Sequence, residues 1–314
     1  MENEGEIVRS SRGNNDSAQT LTEVTIREWI MVLILWFLNL INYMDRFTIA
    51  GMLEDIQSYF KIQNDKGGLL QTGFIFSYMI FAPVFGYLGD RYNRKNILAI
   101  SVLFWSLATL VGSFMQNYWL FLLLRFFVGI GEASYSTVAP TIISDVFALD
   151  VRSYMLALFY FAIPIGCGSG YIVGSEMAKL FGAWQWGLRL TPILGVFGAI
   201  LSFFVLKNPE RGASDGNIHI STTPWTKDLK NLLRNRSFLL TTAAATCVSF
   251  VAGVLTWWGP KYLKLGFDLQ SGVSKNIKER STFIFGVITM IADQNLQEWT
   301  LLSVVLVFSY QYPP

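Results

Sequence analysis

WLFLLLRFFVGIGEASYSTVAPT, residues 119–141, is apolar and long enough to cross a bilayer. A helix rises about 1.5 Å per residue, and a hydrocarbon core takes about 20 residues. Yet the stretch carries Arg125 and Glu132. They are seven residues apart, nearly two turns, so both leave the helix from one face. An ionisable group in hydrocarbon costs at least about 2.5 kcal/mol, so such groups face a polar interior or a hydrated path and find partners there. That face is expected to look into a bundle of helices. The alternative reading is a buried ion pair that only locks helices together.

The rest of the chain agrees with a membrane setting. Hydrophobic residues are 52% of 314 and charged residues 15%, against about 25% charge in soluble domains. Cys167 and Cys247 lie in apolar runs, which predicts two buried free thiols and no disulfide framework. One histidine, His219, excludes His-rich metal sites and argues against a triad hydrolase. No His/Asp or Cys/His constellation accompanies the intramembrane charges, so an enzyme is not expected. Nor is a cofactor or a nucleic-acid partner.

Apolar runs predict spans over residues 29–50, 69–88, 97–115, 119–141, 154–174 and 188–206, a seventh over 238–258, and an eighth starting near Thr282. The chain divides accordingly. Residues 1–28 read as a flexible leader, 29–206 as a six-helix bundle and 207–237 as a linker broken by Pro209, Gly212, Gly216 and Pro224. Residues 238–292 hold the seventh span and a partial eighth, and 293–314 form an atypical tail. The fold class is all-α, multi-pass, one six-helix bundle plus the start of a second. Lys and Arg concentrate in the leader, the second and fourth connections and the linker. By the positive-inside rule those segments and the N-terminus are cytosolic. The sequons at Asn15 and Asn235 are then chance matches, and residues 225–236 read as a basic amphipathic helix or a solvated linker face. Gly166, Gly170 and Gly174 recur at the interval that lets helices pack closely. Pro83, Pro140 and Pro164 remove backbone hydrogen bonds in or near spans, with or without a hinge role.

Between the second and third spans stands GYLGDRYNRK, residues 86–95. Glycines at a helix end permit close backbone contact, Asp90 suits a helix N-terminus or an arginine, and the basic cluster faces headgroups. The order of Gly86, Gly89, Asp90, Arg91, Arg94 and Lys95, at this point of a six-span bundle, resembles the signature of the major facilitator superfamily. NYMDRFTIA (42–50) and GIGEASYSTVAP (129–140) are similar to its Spinster branch. The resemblance implies twelve spans in two halves, and transport of sphingolipids, sphingosine 1-phosphate or lysophospholipids, with protons coupled in some members. It also implies a late endosomal or lysosomal membrane, with the plasma membrane as the alternative, and residues 86–95 as a gating loop.

The residues support a polar site independently. With the first span running outward and the fourth inward, Asp45 and Arg125 fall at similar depths. They are expected to meet, with Arg46 beside them and Glu132 deeper. Burial and a nearby arginine compete over the charge of Glu132, as a proton-coupling carboxylate requires. Glu132 would exchange the proton, Asp45 would share it or anchor Arg125, and Arg46 and Arg125 would attract an anionic headgroup. Tyr43, Phe47, Phe74, Tyr78 and Tyr135 are candidates to line the cavity for an acyl tail, although most aromatics in membrane helices only pack.

The chain departs from the family after the eighth span. ADQNLQE, residues 292–298, interrupts that span after about nine apolar residues, and the second copy of the signature is missing. A truncated product is expected, and two functions compete. One is a secondary transporter of sphingolipids or related lysolipids with protons as co-substrate. The other is a non-transporting isoform that binds or regulates a full-length carrier, or pairs with a second half-carrier.

Overall fold

The computed structural model describes residues 24–206, 230–231, 233–269, 277 and 280–291. These residues form helices that we number α1 (Ile26–Gly51), α2 (Leu53–Phe60), α3 (Asn64–Gly89), α4 (Arg94–Gly112), α5 (Tyr118–Val146), α6 (Leu149–Phe181), α7 (Gln185–Val205), α8 (Arg236–Leu269) and α9 (Ser281–Ile291). Seven are long and apolar enough to cross a membrane; α2 and α9 are shorter. Residues 1–23, His219, most of the linker including 225–229 of its basic segment, and the tail from residue 292 lie outside the described residues. The last residues of the expected leader, from Ile26, already belong to α1, and residues 230–231 and 233–234 of the basic segment are helical.

Local chemistry sets the ends. Thr25 and Glu28 form a capping box at the start of α1, the Glu28 carboxylate accepting from the Thr25 amide at 2.8 Å. Asn93 and Asn117 cap α4 and α5 with their side-chain oxygens. Gly182, at φ +66°, closes α6 in the left-handed region that glycine enters freely. Several helices outrun their apolar cores. Helix α5 passes Pro140 to reach Val146 and α8 passes Pro260 to reach Leu269. A proline loses one backbone bond, and the flanking turns still satisfy their own. Helix α2 occupies the connection between the first two spans, where Leu53, Ile56 and Gln57 make one buried face.

Helix α1 lies along α6, and α3 along α5; α4 bridges α5 and α7, and α1 also meets α7. The glycines of α6 explain the first contact. A Cβ on Gly166, Gly170 or Gly174 would come within 2.7, 2.6 and 2.6 Å of the carbonyl oxygens of Leu40, Met44 and Thr48. Only a hydrogen fits there. Apolar residues gather in two clusters. One, around Leu35, Leu38, Trp105, Tyr135 and Phe159, lies toward the 86–95 connection, the basic end. The other, around Ile49, Ile56, Phe121, Tyr171 and Trp184, lies toward α2.

Helix α8 is different. Trp257 and Pro260 are its buried residues, and the window that qualifies it as a span has none. Cys247 is therefore exposed, which corrects the expectation of two buried thiols; Cys167 is buried. Helix α9 meets α6 through a glycine pair, where a Cβ on Gly286 would come 2.7 Å from the carbonyl oxygen of Gly168.

Candidate functional site

Four charges from two helices meet inside the bundle. Helix α1 presents Asp45 and Arg46; α5 presents Arg125 and Glu132. Arg46 Nη2 donates to Glu132 Oε2 at 2.8 Å and Arg46 Nε donates to the same oxygen at 3.2 Å. Arg125 Nη1 stands 3.7 Å from Asp45 Oδ2. Asp45 has two further partners from other helices. Thr191 of α7 donates to Oδ1 at 2.5 Å, and Thr109 of α4 donates to Oδ2 at 3.1 Å.

The two pairs are not equivalent. Asp45 and Arg125 are buried, with side chains 1% and 3% exposed. Glu132 is also buried, but the Arg46 side chain retains 16% exposure, so Arg46 opens this cluster to its surroundings. Its guanidinium lies 4.8 Å from the ring of Tyr43, 5.0 Å from Phe74 and 5.2 Å from Tyr78. Such faces attract a cation. Phe74 serves Arg125 as well, at 5.1 Å. Glu132 Oε1 accepts no hydrogen bond from the described residues.

Asp45 and Arg125 thus lie within ion-pair distance, and Arg46 turns away from that pair onto Glu132. Three of the five candidate lining aromatics, Tyr43, Phe74 and Tyr78, surround the Arg46 guanidinium. Phe47 packs on Tyr171 at 5.5 Å. Tyr135 is fully buried between Trp105 and Phe159, and its hydroxyl donates to the Leu35 carbonyl at 2.5 Å. It belongs to the core because its neighbours on α4 and α6 enclose it.

The 86–95 segment forms a second cluster at the basic end. Arg94, 6% exposed, donates from Nε to the Gly89 carbonyl at 3.0 Å, lies 3.6 Å from Asp90 and is ion-paired with Asp145 at the end of α5. One arginine thereby ties α3, α4 and α5. Arg91 stacks on Tyr87 and Lys95 on Phe203. The two glycines differ: a Cβ on Gly89 would meet Val138 at 3.2 Å, whereas nothing lies within 4 Å of one on Gly86. Close contact therefore accounts for Gly89 alone.

At the opposite end a cavity of about 700 Å³ opens between the end of α1, α2, α6, α8 and α9; Ala50 on its wall is four residues beyond Arg46 on the same helix. Glu54, Asp55 and Glu176 line it from the first bundle; Lys261, Lys264 and Arg280 line it from the α8 side. Lys264 pairs with Glu54, and Lys261 Nζ donates to Gln57 Oε1 at 2.7 Å and Asn64 Oδ1 at 2.6 Å. Desolvation holds the Asp55 carboxyl above its ordinary range, against the opposing pull of Lys264. Sequence reasoning missed Thr109, Thr191, Asp145, Lys261 and Lys264. Only Asp145, an acid at the basic end of a span, carried a visible signal.

Comparison with known proteins gives a consistent result. The family model described as Major Facilitator Superfamily matches residues 35–307. Protein spinster of Drosophila melanogaster is 56% identical over 272 residues, covering 87% of this chain and 45% of the relative. Protein spinster homolog 1 of Homo sapiens is 48% identical over 275 residues, covering 84% and 52%. The chain thus spans about half the length of these curated relatives. Among solved structures, a bacterial homologue of the human lysosomal transporter Spinster, inward-facing and unoccupied, superposes with a TM-score of 0.74 at 20% identity, over 92% of this chain and 65% of that one. A D-xylose-proton symporter superposes with a TM-score of 0.58 at 19% identity, over 90% and 69%.

Proposed function

The chain belongs to the major facilitator superfamily, and from that premise we propose that it forms part of a proton-coupled secondary transporter for sphingolipids or related lysolipids. The observation that carries the reading is the Arg46–Glu132 pair, because it joins a buried carboxylate to the one partly exposed cation of the cluster. Glu132 exchanges the proton. Once neutral it releases Arg46, and the freed guanidinium attracts an anionic headgroup. Arg125 adds positive potential from behind Phe74, while Asp45 anchors it. Tyr43 and Tyr78 then face the ligand beside Arg46, and the 86–95 cluster governs movement at its own end.

The distribution of Lys and Arg supports a cytosolic N-terminus and a cytosolic basic end, with α2 on the opposite side. Likeness to spinster proteins supports a late endosomal or lysosomal membrane, with the plasma membrane as the alternative. The division into a six-helix bundle at 29–206, a linker at 207–237 and a second unit from 238 belongs to the same reading, since rocking of two halves about a shared site is how such carriers work. Proteoliposomes holding the purified chain, given a pH gradient and a labelled sphingoid lipid, are the test. Gradient-dependent uptake that disappears in Glu132→Gln is expected; uptake indifferent to the gradient and to Glu132 would refute the coupling.

The uncovered faces of α8 favour a second reading, in which this chain associates with a half-carrier or a full-length paralogue and regulates it. Uptake only on co-reconstitution, or inhibition of the longer carrier, would identify that case.

A further inference from the structure

Four charges on two neighbouring helices can pair in more than one way. Asp45 and Arg46 are adjacent on α1, and Arg125 and Glu132 share a face of α5, so helical rise brings Asp45 near the depth of Arg125 without orienting its carboxylate toward that arginine and away from Arg46. The hydroxyls of Thr109 and Thr191 break this symmetry. They approach Asp45 from α4 and α7, one on each carboxylate oxygen, and all three residues are buried, at 4%, 1% and 1% exposure. Glu132 receives nothing comparable: both its bonds come from Arg46, and both fall on Oε2.

We infer that Thr109 and Thr191 are positioning residues that aim Asp45 at Arg125 and so leave Glu132 to Arg46. The physical ground is geometric. A carboxylate with a donor on each oxygen has its plane fixed, and Arg125 then faces it as a charge at 3.7 Å, none of its guanidinium nitrogens making a hydrogen bond among the described residues. The charged groups around Asp45 are few. Arg125 and the like-charged Glu132 come from α5 and Arg46 from its own helix, while α4 and α7 contribute the two hydroxyls. Arg189, two residues from Thr191, turns instead to Ser113 and the rings of Phe114 and Trp186. Helix α6 meets α1 through glycines. The assignment deepens the proposed coupling site by dividing labour within it, α4 and α7 making one pair static so that the other can exchange. Only this consequence rests on the transport reading.

A triple-mutant cycle on the purified chain in detergent tests the placement without any transport measurement. Thermal unfolding yields the coupling between Asp45→Asn and Arg125→Gln, first alone and then with Thr191→Val, Thr109→Val or the corresponding serine. Valine keeps the shape and removes the hydroxyl; serine keeps the hydroxyl. The coupling is expected to fall by about half or more with either valine and to persist with either serine. The coupling between Arg46→Gln and Glu132→Gln, touched only indirectly, is expected to fall by clearly less. An Asp45–Arg125 coupling indifferent to valine, or a loss equal with serine, or an equal fall in both couplings, overturns the inference. Should a valine variant fail to fold, alanine against serine makes the same comparison. Failure here leaves gradient-driven uptake untouched, and failure of uptake leaves the coupling untouched.

Discussion

The interior of the six-helix bundle and the rim at α2 both pair acids with bases, in opposite ways. Inside, Glu132 and Asp45 are sealed by helices on several sides, and Arg46 and Arg125 rest against aromatic faces. At the rim, Lys264 and Glu54 are 44% and 37% exposed, and their charges face water. Breaking a buried pair strands a charge that nothing else solvates, at about 3–5 kcal/mol. An exposed pair contributes about 0–1 kcal/mol and water replaces it. The interior therefore fixes a constellation, whereas the rim holds a contact that is easily surrendered.

The largest effect expected from this contrast is at Arg46. Arg46→Ala leaves Glu132 without a hydrogen bond on either oxygen and should lower unfolding stability in detergent by about 3–5 kcal/mol. Arg46→Met with Glu132→Gln should recover most of it, and a single variant as stable as the parent would erase the distinction between the two regions. Next comes the packing that supports the interior. Gly170→Val forces a side chain against the Met44 carbonyl and should cost about 1–3 kcal/mol. Gly86→Ala, with open space around it, should be neutral or stabilising by about 0.5–1 kcal/mol. Thermal shifts of the two side by side measure the difference.

The rim should respond weakly. Lys264→Gln is expected to cost no more than about 1 kcal/mol, and the cost should vanish in high salt. Salt-independent loss would mean that the rim behaves like the interior. The smallest effect is at Asp55. Its folded carboxyl binds a proton more tightly than an unfolded one, so its favourable contribution is present below the ordinary carboxylate range and is lost as pH rises through the elevated value. Asp55→Asn should match the parent in acid and be slightly more stable at neutral pH, read as melting temperature against pH.

The long apolar runs made the bundle legible, because a membrane leaves helices little alternative, and the two charges in the fourth span pointed inward by cost alone. The depth argument related Asp45 to Arg125, for helical rise is a property of the backbone. Which way Arg46 turns was not legible, since adjacent residues on α1 diverge by about 100° and the choice depends on Phe74 and Tyr78 from another helix. Thr109 and Thr191 were hidden for a similar reason. A threonine in a span ordinarily bonds its own helix, as Thr48 does to the Met44 carbonyl, and only the neighbouring helices reveal the exceptions. The α2 rim escaped because Lys261 and Lys264 lie beyond Pro260, where the apolar pattern had already ended.

The meshing of α1 with α6 has a mechanical corollary. Gly166, Gly170 and Gly174 engage the carbonyls of Leu40, Met44 and Thr48 at matching four-residue steps, teeth spaced about 6 Å apart. A rack of that pitch resists sliding by anything short of a whole tooth. Asp45 and Arg46 sit between the second and third teeth, so a slide of α6 along α1 would have to break the contacts on either side of both charges.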